Sequence, residues 1–318
     1  MNEMNNIKKY DLHCHLDGSL SLETMKRLAG CVGKELPKDE ELAGLLQVTD
    51  ECRSLREYLE KFDLPLSYLI TRDSFKIAAE NLLKEAAQEG VGYMEIRFAP
   101  LLSCREDLPV NAIVEGALEG IGAGEKHGIT GRLILCAMRH MDVEQNLQIV
   151  DVAKRYLGEG VCAIDLAGDE KGFPVLGQKR LFEYASEMGV PYTIHAGECG
   201  SVQSMKDAIS LGTRRIGHGI AAAKDRELQE YCAKNRICFE MCPISNLHTK
   251  AVPSIEDYPI VQFLEMGIPV TINTDNRMVS NTTITKEWEL LKEHFHLTES
   301  DFKVLMENAA EAAFCQPT

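Results

Sequence analysis

The alternation of strand-like and helix-like segments is the feature that most constrains the fold of this 318-residue chain. Eight short runs rich in β-branched and other apolar residues predict strands at 10–16, 91–98, 131–138, 160–167, 190–195, 215–220, 236–242 and 268–275. Helix-like segments lie between them, and many end at Gly or Asn, a usual helix stop. Alternating strands and helices favour a parallel sheet, and eight such units in about 300 residues favour an α/β fold of the closed (β/α)8 TIM type.

The interval between the first two predicted strands is too long for a simple crossover. It contains helix-like segments such as SLETMKRLAG and SLREYLEKFDLPLSYLI. We therefore expect extra helices inserted after strand one, on the face of the barrel where active sites lie. Their apolar side chains either form a lid or pocket wall or are ordinary helix core; these are Leu55, Leu59, Phe62 and Leu66. No repeat or linker interrupts the chain, so we expect one domain over residues 1–318.

The charge and cysteine content restrict the partners and the compartment. The chain has 34 basic and 49 acidic residues, a net charge of −15, and no basic cluster, so nucleic acid and anionic membranes are poor candidate partners. The start MNEMNNIKKY lacks the apolar region of a secretory signal, and no apolar run approaches the roughly 18 residues of a membrane span. The eleven cysteines are scattered without a CxxC pair, which predicts reduced, mostly packed thiols and a cytoplasmic location. We expect Cys199 to be buried and Cys238 and Cys242 to be poor metal ligands.

The stretch DLHCHLDGS at 11–19 places two imidazoles two residues apart. Side chains alternate along a strand, so His13 and His15 face one side, with Asp11 and Asp17 at the same parity. Burial of a row of polar side chains in a core costs free energy unless they form hydrogen bonds or bind a ligand. The pair alone fits either metal ligands or two hydrogen-bonded histidines.

Other ionisable residues fall at the predicted ends of strands five, six and eight, namely His195, His218 and Asp275. In a barrel these reach the same rim as His13 and His15. Three imidazoles and a carboxylate (His13, His15, His195 and Asp275) suit Zn²⁺ with an open position for water, whose pKa falls toward about 7 on the metal. His218 is then placed to take the proton of that water or to stabilise the hydroxide.

Two further features bear on the chemistry of this rim. Glu198, in HAGE, follows strand five, and a shielded carboxyl there could stay protonated and donate to a substrate nitrogen. The fourth strand reads GVCAIDLAGDE and has no lysine at its end, since Lys171 lies well past it. This favours one metal over a lysine-bridged pair.

The ordered motifs resemble those of the adenosine deaminase family of amidohydrolase barrels. HxH, HAGE, HG and TD occur in family order with HLDGSL, YMEIRFAP, LCAMRH, IDLAGDE, CPISNLHT and NAAEAAF, covering residues 8–315. The resemblance implies one Zn²⁺ per chain, held by His13, His15, His195 and Asp275. It also implies that Glu198 protonates purine N1 and that His218 activates the water that attacks C6, after which ammonia leaves.

The resemblance also implies contacts to a purine nucleoside. His15 and Asp17 approach the ribose side, and the backbone of Gly168 approaches the N3 edge, where the absence of a side chain permits close contact. Family members that act on free adenine tend to carry Glu where this chain has Asp17, which favours a nucleoside. Asn276 departs from the usual second Asp, but its amide can still donate to N7. Arg277 either pairs with surface acids or reaches an acidic group of an unusual substrate.

Several functions stay open at this point. The leading one is hydrolytic deamination of adenosine and 2′-deoxyadenosine to inosine and 2′-deoxyinosine in purine salvage. Its rivals are deamination of adenine or of a 5′-modified or futalosine-type adenosine, phosphoester hydrolysis, and non-catalytic nucleoside binding. Editing of nucleic-acid bases is disfavoured, because the HxE and PCxxC signature of those zinc deaminases is missing.

Overall fold

Eight parallel strands form a barrel in the computed structural model, which describes residues 7–49 and 51–315. The strands are β1 (Lys9–His15), β2 (Val91–Phe98), β3 (Thr130–Met138), β4 (Val161–Ala167), β5 (Ile194–Ala196), β6 (Arg215–His218), β7 (Cys238–Met241) and β8 (Val270–Ile272). Strands β1 to β4 and β5 to β8 pair in chain order. Parallel bridges from Ile164 to Tyr192 and from Cys14 to Asp275 join the two halves. The predicted (β/α)8 barrel is confirmed, and residues 1–6, 50 and 316–318 of the expected domain lie outside the described residues.

The helices surround this barrel. They are α1 (Leu22–Val32), α2 (Asp39–Leu46), α3 (Leu55–Leu59), α4 (Asp63–Tyr68), α5 (Arg72–Gln88), α6 (Val110–Gly124), α7 (Val143–Tyr156), α8 (Lys179–Met188), α9 (Val202–Ser210), α10 (Arg226–Asn235), α11 (Pro243–His248), α12 (Ile260–Glu265), α13 (Ile284–Phe295) and α14 (Glu299–Ala312). Helix α5 packs on β2 as the crossover, so α1 to α4 are the predicted insertion after strand one. Within the described ranges, every helix is too short or too polar to cross a membrane.

The two faces of the strands meet different surroundings. Along β2, Phe98 stacks on Phe75 of α5, which belongs to the apolar layer between barrel and helices. The neighbouring Arg97 points into the barrel, where it donates to Asp165 of β4 and Glu240 of β7. Alternation of side chains along a strand therefore supplies an apolar outer core and a charged interior below the C-terminal rim.

The structure corrects the bounds of two predicted strands. Strand β5 starts at Ile194 rather than 190, so His195 lies inside it, and β8 ends at Ile272 rather than 275. Beyond β8 the chain turns to pair with β1: His15 N donates to Asp275 O at 2.6 Å, and Asp275 N donates to His13 O at 2.7 Å. Asp275 thus stands in a loop with a left-handed backbone, φ 55°, instead of ending a strand.

The parity expected for Asp11 is also wrong. The register of β1 against β2 shifts between Asp11 and Cys14. Asp11 is fully buried and accepts hydrogen bonds from Thr274 N at 3.3 Å and Thr274 Oγ1 at 2.5 Å. A β-bulge breaks the simple alternation of side chains, so Asp11 does not join the two histidines.

Candidate active site

A cavity of about 310 Å³ opens at the C-terminal rim of the barrel. The inserted helices supply one apolar wall, which consists of Leu55, Tyr58, Leu59, Phe62 and Leu66. Of the alternatives left open for Leu55, Leu59, Phe62 and Leu66, the structure favours the pocket wall. Among the described residues, no lysine or arginine lines the cavity, whereas Asp17, Asp169, Glu198 and Asp275 do.

Ligand-type atoms from three parts of the barrel converge at the base of this cavity. His15 Nε2 lies 3.3 Å from His195 Nε2 and 3.4 Å from Asp275 Oδ1, and His13 Nε2 lies 3.5 Å from the same oxygen. His13 Nε2 is buried and has no hydrogen-bond partner within the described chain. Buried polar atoms are normally satisfied, so this cluster fits a bound cation.

The electrostatics of the cluster favour neutral imidazoles at His13 and His15 beside an ionised carboxyl. Burial lowers the pKa of His13 and of His15. Burial would raise the pKa of Asp275, but the surrounding imidazoles outweigh it and lower that pKa well below its usual range. Burial likewise lowers the pKa of His195, but Asp165 outweighs burial and raises it. A metal ligand must give up its proton, so metal binding at His195 competes with protonation.

Sequence reasoning missed the residues that orient these imidazoles. Glu240 Oε2 lies 2.8 Å from His13 Nδ1, and Asp165 Oδ2 lies 2.9 Å from His195 Nδ1. Ser245 Oγ donates to Asp275 Oδ2 at 2.5 Å. Burial would raise the pKa of Asp165 and of Glu240, but nearby charges outweigh it and lower both: His195 and Arg97 for Asp165, and Arg215, Arg97 and His13 for Glu240. A single acid within each apolar strand sequence, AIDLA and CFEM, was the available signal.

Glu198 and His218 face each other on the cavity wall. Glu198 Oε2 lies 3.7 Å from His218 Nε2. The other oxygen, Oε1, accepts a hydrogen bond from Thr249 Oγ1 at 3.1 Å. Only 14 % of the Glu198 side chain is exposed, so the predicted shielding of this carboxyl is confirmed.

The tautomer of His218 follows from its contacts with a second missed pair. Tyr258 OH donates to Asn246 Oδ1 at 3.2 Å, which directs the Asn246 amide nitrogen toward His218 Nδ1 at 3.0 Å. A ring nitrogen that accepts from an amide carries no proton, so neutral His218 carries its proton on Nε2. His218 also has a left-handed backbone, φ 65°, which turns its side chain at the strand end.

The residues predicted to contact a substrate also line the cavity: His15, Asp17, Gly168 and Asn276. Asp17 Oδ1 is buried without a hydrogen-bond partner in the described chain, and burial raises the pKa of Asp17 to about 6. Gly168 has φ 103°, and a Cβ there would lie 3.3 Å from the Met138 methyl carbon. Both the backbone angle and the space at this position favour glycine.

Four other expectations can be compared with the structure. Arg277 lies away from the cavity and pairs with Glu89, a mostly buried acid rather than a surface one.

Cys199 is exposed, so its expected burial is wrong, although desolvation and neighbouring carboxylates raise its pKa to about 12. Cys242 Sγ does lie within 4.8 Å of ligand atoms of His218 and Asp275, but its thiol donates to the Glu240 carbonyl. Seven of the eleven cysteines are buried, as the packing prediction required.

The barrel and the cluster at its rim define the amidohydrolase class of metal-dependent hydrolases. A family model described as "Adenosine deaminase" matches residues 8–318. An adenosine deaminase of Clostridium botulinum (strain Kyoto / Type A2) is 44% identical over 317 residues, with 98% of this chain and 94% of that protein covered. The chain belongs to the adenosine deaminase family and is a hydrolase acting on C–N bonds.

Solved structures with the same fold differ in the substrates that their names state. An adenine deaminase from Arthrobacter aurescens superimposes with a TM-score of 0.88 at 26% identity, covering 97% of this chain and 94% of that one. An N6-methyl-AMP deaminase from Arabidopsis thaliana superimposes with a TM-score of 0.85 at 25% identity, covering 98% and 93%. The fold is thus shared by enzymes for a free base and for a nucleotide, and the side chains of the cavity must decide between them.

Proposed function

We propose that the protein is a Zn²⁺-dependent deaminase of adenosine and 2′-deoxyadenosine that releases inosine or 2′-deoxyinosine and ammonia. One observation carries the proposal: Glu198 and His218 face each other across 3.7 Å on the wall of a cavity whose base holds three imidazoles and a carboxylate. An acid, a hydrogen-bond donor and a metal site on one small cavity are the parts that hydrolytic deamination requires.

The spacing of the proposed metal ligands supports Zn²⁺. Ligand atoms about 2.1 Å from a shared Zn²⁺ lie about 3.0 to 3.6 Å from their neighbours when a fifth position is left for water. The contacts among His13, His15, His195 and Asp275 measured above range from 3.3 to 3.5 Å. The nitrogen and oxygen donors also suit this ion. When bound, Zn²⁺ supplies a Lewis acid that makes hydroxide available at neutral pH.

Glu198 is proposed to donate a proton to purine N1. Protonation of N1 makes C6 more electrophilic and therefore easier for a nucleophile to attack. A carboxyl group that is shielded from water is suited to deliver that proton. The hydrogen bond from Thr249 holds one carboxyl oxygen, which leaves the other free to face the substrate and His218.

His218 is proposed to stabilise the attacking oxygen by donating from Nε2. Its contact with Asn246 supports donation over proton abstraction, because it places the proton of the neutral ring on the nitrogen that faces Glu198. The Tyr258–Asn246 contact keeps that tautomer in place.

The cavity supports an uncharged nucleoside as substrate. Asp17 Oδ1 needs a hydrogen-bond donor, which a ribose hydroxyl supplies, whereas free adenine offers only its ring N9–H at that end of the base. A 5′-phosphate or the carboxylate of a futalosine-type group would meet Asp17 and apolar side chains, with no lysine or arginine of the described chain lining the cavity to pair with it. Asn276 and the Gly168 backbone are proposed to contact N7 and the N3 edge of the purine.

A substrate panel tests the proposal. Zinc-loaded protein is offered adenosine, 2′-deoxyadenosine, adenine and AMP, and ammonia release is measured, with Glu198→Gln as control. We expect turnover of both nucleosides, at least about 1,000-fold slower in the control, whose zinc content stays unchanged. Preference for adenine or AMP would keep the deaminase chemistry and refute the proposed substrate.

The substrate and the cysteines also bear on the cellular setting, which is part of the proposal. A role in purine salvage follows from a nucleoside substrate and an inosine product. A cytoplasmic location fits a chain whose cysteines are unpaired, as all eleven are here.

A further inference from the structure

Arg97 holds both carboxylates that face the metal-site imidazoles. From β2, its Nη1 donates to Asp165 Oδ2 at 3.1 Å and its Nη2 donates to Glu240 Oε2 at 2.8 Å. The same two oxygens face His195 Nδ1 at 2.9 Å and His13 Nδ1 at 2.8 Å. A single guanidinium group therefore lies behind two separate imidazoles.

The rigid guanidinium group of Arg97 limits the distance between the two carboxylates that it binds. Its nitrogens form a rigid, planar fork, so they set the separation of the two carboxylate oxygens. Glu240 Oε2 is within hydrogen-bond distance of His13 Nδ1, and Asp165 Oδ2 makes a close polar contact with His195 Nδ1, so each carboxylate restricts the rotation of one imidazole. Arg97 Nη2 also donates to Leu12 O at 2.5 Å, which anchors β1 at the residue before His13.

We propose that Arg97 is a positioning residue that sets the relative orientation of His13 and His195 and thereby the affinity and geometry of the metal site. The proposal rests on the proposed metal ligands and extends them to a residue that contacts neither metal nor substrate.

A purely stabilising role explains the arrangement less well. Buried ion pairs are often no more stabilising than apolar side chains of similar volume. Here Arg97 Nε and Asp165 Oδ1 are buried without hydrogen-bond partners in the described chain, which adds to the cost. The arrangement is better explained by its effect on the orientation of His13 and His195.

A neighbouring buried arginine provides a matched control. Arg215 is also almost fully buried, and it donates to Glu240 Oε1 at 2.7 Å and to Glu95 Oε2 at 2.7 Å. Its remaining contacts are the carbonyl of Leu12 at 3.2 Å, which Arg97 also contacts, the carbonyl of Ala312 at 3.1 Å and the ring of Phe314. Arg215 thus has the same charge, burial and planar guanidinium group as Arg97, but it does not bridge the two carboxylates that face imidazoles.

The experiment compares Arg97→Lys with Arg215→Lys in metal-free protein titrated with Co²⁺ against a chelator. Lysine keeps the charge but cannot hold two carboxylates at a fixed separation. We expect Arg97→Lys to weaken Co²⁺ binding about 10–100-fold and to change the visible absorption of bound Co²⁺. Arg215→Lys should lower the thermal midpoint yet keep the affinity within about threefold and the spectrum unchanged.

Two results would overturn the inference. One is parental affinity and spectrum in Arg97→Lys, and the other is an equal loss in both variants, which would indicate general destabilisation. If circular dichroism shows that Arg97→Lys is unfolded, Arg97→Gln, with Arg215→Gln as its control, decides by the same two readouts. A parent protein that binds Co²⁺ but leaves adenosine intact would refute the proposed function and leave this comparison valid.

Discussion

Arg277 donates from Nη2 to Glu89 Oε2 at 2.6 Å, and neither residue lines the substrate cavity. The arginine side chain is only 9% exposed, and that of Glu89 13%. This pair joins the loop after β8 to the end of α5, so it belongs to the framework of the barrel. The guanidinium is not available to an acidic substrate group.

Replacement of Arg277 should therefore affect stability and not substrate choice. We expect Arg277→Met to lower the free energy of unfolding by about 3 kcal/mol, because it leaves Glu89 buried without its main cation. Arg236→Met, which breaks an exposed pair with Glu311, should change stability little. Urea unfolding measures both, and a changed order of adenosine and AMP as substrates in Arg277→Met would contradict the assignment.

Removal of the Asp17 carboxylate should weaken only ligands that carry ribose. The loss of a hydrogen bond to a charged, buried oxygen costs about 1.5–3 kcal/mol. We expect Asp17→Ala to raise the inhibition constant of inosine about 10–100-fold and to leave that of hypoxanthine unchanged. Equal losses for the two products would remove Asp17 from ribose recognition.

Removal of the Thr249 hydroxyl should reduce catalysis through Glu198. Thr249→Val deletes the side-chain hydrogen bond to Glu198 Oε1 while nearly preserving volume. We expect kcat to fall about tenfold with a smaller change in KM. Thr249→Ser should restore most of the activity, and a variant Thr249→Val with parental kcat would show that the contact does not position the acid.

Truncation of Phe62 should act mainly on substrate binding. Its ring is half-buried in the wall that the insertion contributes to the cavity. Loss of this apolar contact should raise KM for adenosine about tenfold and lower kcat less in Phe62→Ala. Leu45→Ala provides the control, since Leu45 in α2 is exposed and lies outside the cavity. Unchanged kinetics in Phe62→Ala would refute the role of the wall.

Glu287 should make the parent protein less stable as pH rises. This fully buried carboxyl accepts from Thr282 Oγ1 at 2.7 Å and Ile244 N at 3.0 Å. Burial, with smaller contributions from Asp11 and Asp275, raises its pKa from 4.5 to about 8. Since the folded-state pKa is the higher one, its stabilising contribution is complete below pH 4.5 and is lost as pH rises through about 8.

Glu287→Gln tests this dependence by removing the titration. The thermal midpoint of the variant relative to the parent should increase between pH 5 and pH 8.5, by a few degrees, and then level off. The other titratable groups near Glu287 are Asp11, Asp275, Cys242 and Tyr258, and the variant retains all of them. A pH-independent difference between the two proteins would contradict the raised pKa.

The sequence by itself determined the features that depend on local order. Periodicity predicted eight strands and the long helical insertion, and the alternation of side chains placed His13 and His15 together. These inferences succeeded because neighbours within one strand or helix are fixed by the geometry of that element. They failed where local geometry is broken, as at the bulge beside Asp11 and in the loop that carries Asp275.

Only the tertiary structure decided which distant residues support the site. His13 and Glu240 are 227 positions apart, and Arg97 and Glu240 are 143 apart. Each lies on its own strand, and barrel closure alone brings them into contact. The partner of Arg277, the tautomer of His218 and the carboxylates behind the imidazoles depend in the same way on through-space packing, which periodicity along the chain does not encode.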